Sequence, residues 1–411
     1  MILMAHIFPS KCLINLEKRC WFRKRTSLGF SYLSKNRHRI LGIETSCDDT
    51  SVAIVDDRGE ILGECTRSQF HVHEPMGGIV PDLASKSHMA NLPGVISQTL
   101  KVASLVITDI DVFAFTRGPG LATCLSVGTN ATKTLAAALR KPLIGVHHME
   151  AHALTVRMTN AGIRFPYLAF LLSGGHTLII IVHGVNHYTQ LASTLDESIG
   201  QTYDKVAREL GIRWNPAPKS GYISRSRPGS GGGPGPALER IALNGNDNKY
   251  KLTIPLNRFE KRLNTNFSFS GLRTQVTQLA TKLLANSSPG DREEIVADLA
   301  ASFQFTAVAH LCLKLKMAFD RCRQIGVYPS ALVASGGVAS NFTIRKRLEE
   351  TAALHGVPLE CPPSELCTDN GAMIAWAGWE RFRLGLVDPT TIDIISDWPL
   401  ETLKGMYPQK K

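Results

Sequence analysis

His148 and His152, in the run His147-His148-Met149-Glu150-Ala151-His152, stand four residues apart. On a helix that spacing places both imidazoles on one face, where they can reach a single ion. Most such pairs are structural or exposed. This one directly follows an apolar strand and sits in a cluster of three histidines, which favours a metal site. A carboxylate would complete a mixed nitrogen and oxygen site, and Asp369 in Cys367-Thr368-Asp369-Asn370-Gly371 is the candidate. Its plain structural alternative is a helix N-cap. A zinc peptidase of the HExxH type carries its base directly after the first histidine. Here Met149 holds that place, and Glu150 follows one residue later, facing differently. The spacing therefore gives peptide hydrolysis no support, and Glu150 reads as a group behind the metal or a helix-surface carboxylate. Two imidazoles and a carboxylate suit one divalent ion, zinc or iron foremost, without choosing between them.

Three small-residue turns follow expected strands: Glu44–Thr50, Ser173–Thr177 and Ser335–Asn341. Glycine lets backbone approach a ligand closely, and adjacent N–H groups in such turns can hold a phosphate or carboxylate oxygen. One such turn is commonly only a turn; three at strand ends suggest a nucleotide. Neither GxGxxG nor GxxxxGK[ST] is present, against dinucleotide-binding and P-loop readings. Asp204, Gly235 and Asn341 are polar or small candidates near these turns for the adenine and ribose.

The elements that must position these residues come in two similar blocks. Ile40–Ile43 and Val52–Val55 read as strands around a polar turn, with a further turn at Asp57–Gly59 leading to Ile61 and Leu62. A helix is expected over 88–106, a strand over Val112–Thr116, a helix over 122–139 and a strand over Leu143–Val146. Tyr167–Leu172, the turn at Ser173 and Leu178–Val182 repeat the opening roughly 130 residues later. Helices are expected near 196–211, 268–284, 292–324, 341–355 and 369–384, with a strand at Ala331–Ala334. The repetition suggests a duplicated α/β domain with a cleft between the copies, against a generic doubly wound α/β protein. Residues 213–236, rich in glycine and proline, read as a surface loop.

The formal net charge of +11 is concentrated at the start of the chain. Residues 1–39 hold nine Lys/Arg and one acidic residue, Glu17, which leaves about +3 for the rest. Global charge is thus a poor argument for nucleic-acid binding. The Arg-rich, acid-poor opening interspersed with apolar residues has the composition of a mitochondrial presequence; its charges interrupt any secretory apolar core. No run of 18 or more apolar residues occurs, so no membrane span is expected. Nine scattered cysteines without CxxC spacing fit a reduced compartment better than a disulfide scaffold.

With these segments assembled, the chain resembles the tRNA N6-adenosine threonylcarbamoyltransferase family, once labelled O-sialoglycoprotein endopeptidases. The likeness runs from about Ile40 to Leu384. It includes Leu41–Thr50, His147–His152, Leu172–Thr177, Phe267–Leu272, Ala334–Asn341 and Cys367–Ala375. Glu150–Arg157 looks most like the mitochondrial branch.

The resemblance implies an actin-like (duplicated RNase H-like) two-lobed fold with a nucleotide cleft. The expected division is a presequence at 1–38, lobes at 39–150 and 151–385, an atypical loop at 214–234 and a carboxy-terminal extension at 386–411. It also implies transfer of the threonylcarbamoyl group from threonylcarbamoyl-AMP, made by a separate synthase, to N6 of adenosine 37 in mitochondrial tRNAs reading ANN codons. His148, His152 and Asp369 would hold the metal. Ser173, Gly174, Gly175, His176, Thr177, Asp204, Gly235 and Asn341 would contact the intermediate. Asp48 or Asp49 is the candidate proton acceptor or relay. A homodimer in the mitochondrial matrix is the expected form. The competing functional readings are an actin-like ATPase or phosphotransferase and a non-catalytic nucleotide-binding scaffold. Trp214–Pro234 looks longer than the family's usual link.

Overall fold

Apolar runs on either side of a polar turn pair with each other before they pair with anything distant. In the computed structural model, which describes residues 37–73, 76, 79–213, 233–257, 264–285 and 287–406, β1 (Arg39–Glu44), β2 (Asp49–Asp56) and β3 (Ile61–Ser68) form an antiparallel meander. After α1 (Phe70–His73) and α2 (Pro81–Ala103), β4 (Val112–Gly118) lies parallel beside β1. Then α3 (Ala122–Leu139) leads to β5 (Leu143–His147), parallel to β4. The sheet order is β3-β2-β1-β4-β5. β5 is buried along its whole length and β1 and β4 nearly so, as parallel strands covered on both faces must be.

α4 (His148–Thr159) leaves β5 and the pattern repeats. β6 (Tyr167–Leu172), β7 (Thr177–Gly184) and β8 (His187–Ser193) form the second meander. α5 (Ile199–Glu209), α6 (Pro234–Ala242), α7 (Ser270–Leu284) and the 36-residue α8 (Pro289–Gln324) intervene. β9 (Leu332–Ser335), α9 (Phe342–Ala353) and β10 (Leu359–Glu360) complete a sheet of order β8-β7-β6-β9-β10, matching the first strand for strand. The expected two-lobed actin-like architecture is thus present. α8 is long and apolar enough to cross a membrane, but 78% of its apolar window is buried inside the second lobe, where it serves as a core helix.

The chain does not divide at a single point. The expected lobe boundary at 150/151 falls within α4, which packs Ala151 and Leu154 among first-sheet residues and Met149, Ala153 and Val156 among second-sheet residues. After α10 (Ser364–Cys367), α11 (Gly371–Phe382) returns to the first sheet, although it was expected in the second lobe. The extension beyond it is bound to both lobes. Asp388 pairs with Leu143 and Gly145, while Trp398, Leu400 and Leu403, the last in α12 (Leu403–Met406), are buried beside the second sheet.

Some expected elements shift. The helix expected from 88 starts at Pro81, because proline in the first turn forfeits no intrahelical bond, and Pro93 is accommodated further along. β8 and the two-residue β10 were not anticipated: one alternates weakly and the other is too short to show a period. The loop read over 213–236 closes early, since Pro234 opens α6. Residues 214–232 of the atypical segment and residues 1–36 of the presequence lie outside the described residues.

Candidate functional site

β5 delivers three histidines to the junction of the lobes. His147 caps α4: the Met149 N–H donates to its Nδ1 (3.1 Å), while its Nε2 donates to the Trp398 carbonyl (2.9 Å). Burial pushes this imidazole down to about 3, so it stays neutral. His148 and His152 follow on one helix face, their ring centroids 4.8 Å apart. Asp369, from the loop before α11, places Oδ1 3.0 Å from His152 Nε2 and 3.5 Å from His148 Nε2. Ligand atoms of these three residues all lie within 4.8 Å of one another.

Behind His148 stands Glu44, at the end of β1. Its Oε2 is 3.1 Å from His148 Nδ1 and accepts from the Thr116 hydroxyl (2.5 Å), while the Ser46 N–H donates to Oε1 (2.5 Å). A carboxylate holding Nδ1–H leaves the Nε2 lone pair free for a cation, the arrangement that orients metal-bound histidines. The electrostatics make the same demand. Burial alone would raise the Asp369 carboxyl, but the charge of His148 and hydrogen bonds from both histidines hold it well below the usual carboxylate range. Burial would lower His148, yet Asp369 and Glu44 together push it up to about 10. A buried and a partly exposed carboxylate therefore call for positive charge between them, and these residues fit a divalent ion held by His148, His152 and Asp369.

The turn Ser173–Thr177 lies alongside. The His176 N–H donates to Ser173 Oγ (2.9 Å), and the Thr177 hydroxyl accepts from the Ile199 N–H (2.8 Å) at the start of α5. Ser198 also donates to the Gly174 carbonyl. Gly174 and Gly175 are exposed, with open space where a Cβ would stand, so their backbone can meet a ligand directly. The His176 ring is 6.4 Å from that of His148, and burial, then the neighbouring histidines, pushes it down to about 4. Asp204 accepts from the Gly235 N–H (3.1 Å), and burial raises its carboxyl. Asn341 caps α9 through the Ile344 N–H (2.9 Å) and donates to Gln304 Oε1 (3.2 Å). The turn it ends approaches Ser173: at Gly336, with φ +101°, a Cβ would lie 2.3 Å from the Leu172 carbonyl oxygen.

The structure thus gathers His148, His152, Asp369 and His176 at one point and pairs Asp204 with Gly235. The sequence offered Glu44 and Ser46 only as members of a candidate ligand-holding turn and Thr116 only as the end of a strand; the signal for a role behind His148 was an acidic residue ending the apolar run Ile40–Ile43. Glu150 is not on a helix surface, being wholly buried.

Asp48 ends the turn between β1 and β2, and Asp49 is the first residue of β2. The Gln69 N–H donates to the Asp48 carbonyl (3.1 Å). Burial, reinforced by Asp48, pushes the Asp49 carboxyl up to about 7. The folded state therefore holds this proton more tightly than the unfolded chain, and the associated stabilisation fades as pH rises through about 7. Thermal melts should show Asp49→Asn more stable than the parent at pH 8, with the difference shrinking toward pH 5. An equal difference at both pH values would contradict that assignment.

Two five-stranded sheets of matching order, with a charged site where they meet, define an actin-like two-lobed α/β protein. HypF of T. kodakarensis shares this fold with a TM-score of 0.53 at 15% identity, over 84% of this chain and 48% of that one. The profile of the family described as tRNA N6-adenosine threonylcarbamoyltransferase matches residues 60–376. A tRNA N6-adenosine threonylcarbamoyltransferase of Brucella anthropi is 42% identical over 371 residues, covering 88% of this chain and 95% of its own. A probable mitochondrial enzyme of that name from Arabidopsis thaliana is 39% identical over 383 residues, covering 89% and 76%. The chain belongs to the tRNA N6-adenosine threonylcarbamoyltransferase family and is an enzyme of tRNA modification.

Proposed function

We propose that the enzyme transfers the threonylcarbamoyl group of threonylcarbamoyl-AMP to N6 of adenosine 37 in mitochondrial tRNAs reading ANN codons, releasing AMP. The observation that carries this reading is the convergence of His148, His152 and Asp369 beside the open Ser173–His176 turn. N6 of adenine is a poor nucleophile because its lone pair is delocalised into the ring, so the acyl carbon must be activated and AMP made a ready leaving group. N6 bonds to the carbamoyl carbon, the bond from that carbon to the AMP phosphate oxygen breaks, and N6 gives up a proton. A divalent cation, zinc or iron, supplies Lewis acidity at the triad.

The chain's own groups perform the remaining tasks. Backbone N–H groups of Gly174 and Gly175 receive phosphate or carboxylate oxygen, with Ser173, His176 and Thr177 shaping the turn. Asp204, Gly235 and Asn341 hold the nucleoside part. Asp49, whose carboxyl burial brings near 7, takes the proton, with Asp48 beside it. Recognition of adenosine 37 in a single-stranded loop needs only a modest basic surface.

The Arg-rich opening and the mitochondrial Arabidopsis relative support location in the mitochondrial matrix, where a separate synthase supplies the intermediate. An apolar groove between α2 and α3, lined by Met89, Leu92 and Ile96 facing Val127, Ala131 and Leu135, supports action as a homodimer.

Reconstitution tests the reading. Purified protein, threonylcarbamoyl-AMP and tRNA are combined, tRNA digests are analysed by mass spectrometry, and the protein's mass is measured in solution. Threonylcarbamoyladenosine should form only with all three components present. ATP turnover without transfer would favour a phosphotransferase instead, and tRNA binding without turnover a scaffold.

A further inference from the structure

Between the two metal-facing histidines α4 carries Glu150, whose side chain has no exposure to solvent. A carboxylate stripped of water is strongly disfavoured unless its charge is matched and its lone pairs are occupied. Here both conditions are met by groups from three different elements. Arg381 of α11 donates to Oε2 (2.9 Å), and that guanidinium is itself wholly buried. Oε1 accepts from the Tyr188 hydroxyl (2.8 Å) and from the Asn186 N–H (2.9 Å), both at the hairpin joining β7 to β8. The same Arg381 nitrogen reaches Asn186 Oδ1 at 3.5 Å. A second pair, Arg157 to Glu380 at 3.0 Å, ties the same two helices one step further along.

We propose that Glu150 is a positioning residue for the transfer reaction, fixing the register of α4 against α11 and against the second lobe. α4 bears His148 and His152, and α11 begins two residues after Asp369, so the carboxylate links the two elements that supply the three ligands. It also fastens them to the far end of β7, the strand whose near end is Thr177 in the substrate turn. Glu150 faces away from both metal and substrate. Its role is to hold the histidine ring nitrogens opposite Asp369 and to keep that cluster at a fixed distance from Ser173–Thr177. A hydrophobic filler of similar volume would pack this space, but it would not specify one register. Charge with three directional partners does so.

The inference rests on reading His148, His152 and Asp369 as the metal site, so the experiment includes His148→Ala alongside Glu150→Gln and Tyr188→Phe. Each purified protein is stripped of metal, and its affinity for Zn2+ alone is measured by competition with a coloured chelator. Thermal melting and transfer turnover are recorded on the same samples. Removing a partner hydrogen-bonded to a metal ligand weakens binding by about 10–100-fold, and Glu150 acts one contact further out. Glu150→Gln should therefore bind Zn2+ about tenfold more weakly, at the low end of that range, and Tyr188→Phe by a smaller factor, with turnover falling in the same order. Should Glu150→Gln fail to fold, the milder Tyr188→Phe decides, since it keeps the Arg381 pair. Zn2+ affinity in the folded variants equal to the parent's, with only the melting temperature lowered, would reduce Glu150 to a scaffold group and overturn the proposal. If His148→Ala also leaves Zn2+ affinity unchanged, it is the metal-site reading that fails.

Discussion

Substituting His148 with alanine is expected to reduce threonylcarbamoyl transfer by on the order of a thousandfold while the protein remains folded. The size follows from what a Lewis acid supplies at a reacting oxygen, several kcal/mol, at about 1.4 kcal/mol per factor of ten. His148 sits at the centre of the charge arrangement, with Glu44 at 3.1 Å on one nitrogen and Asp369 at 3.5 Å from the other. Without the imidazole, Asp369 loses the principal positive charge that holds its carboxyl low, and a cation is left with His152 and one carboxylate. The fold should survive because Glu44 keeps its bonds from Thr116 and Ser46, and the loss of one partner costs about 1–3 kcal/mol. Turnover of the variant and of chelator-treated parent protein should fall alike. A variant with undiminished turnover would remove His148 from the site.

How much of this was legible in the sequence depends on the range of each interaction. The His148/His152 pair could be found because helical periodicity projects residues four apart onto one face, and the paired strands could be found because apolar runs flank local turns. Asp369 could be named as a candidate from its own segment, but resemblance was needed to tie it to the histidines, since 217 residues separate it from His152 and no spacing rule spans that distance. The role of Glu44 behind His148 escaped notice for the same reason: 104 residues separate the two, and its place at the head of a turn pointed to a ligand instead. The partners of Glu150, at 186, 188 and 381, come from two lobes, so helix spacing alone suggested supporting or surface roles and could not choose. Chain order likewise misplaced α11, because contiguity favoured the second lobe whereas its close packing is on the first sheet. Its closest contacts are made by Gly371 and Gly378, and although the helix is apolar, its pattern does not say which sheet it covers.

Replacing Gly42 with alanine is expected to cost more activity than stability, and replacing it with valine is expected to unfold the protein. A Cβ on Gly42 of β1 would stand 2.3 Å from the Ala375 nitrogen and 2.4 Å from the Gly371 carbonyl oxygen, both backbone atoms of α11. The fit is reciprocal: a Cβ on Gly371 would lie 2.4 Å from the Ala53 nitrogen, and one on Gly378 would lie 2.5 Å from the Ala114 Cβ. Helix backbone therefore rests directly on sheet backbone, and the Gly371 N–H donates to Ser51 Oγ (2.8 Å) at that contact. Backbone cannot rotate away as a side chain can, so α11 must lift by roughly an ångström to admit a methyl group, at a cost of about 1–3 kcal/mol. Asp369 lies two residues before the helix and must move with it. An ångström of misplacement in a reacting constellation is worth about a hundredfold in rate. Urea unfolding and transfer assays on Gly42→Ala should show that imbalance. Gly290→Ala, at a position with open space around it, should change neither measurement appreciably. For valine the added branches meet the same backbone at closer range, and the cost should exceed about 4 kcal/mol, a large part of what holds a domain folded. If Gly42→Ala lost stability and activity in equal proportion, the close approach of α11 would be a packing requirement alone, with no special hold on Asp369.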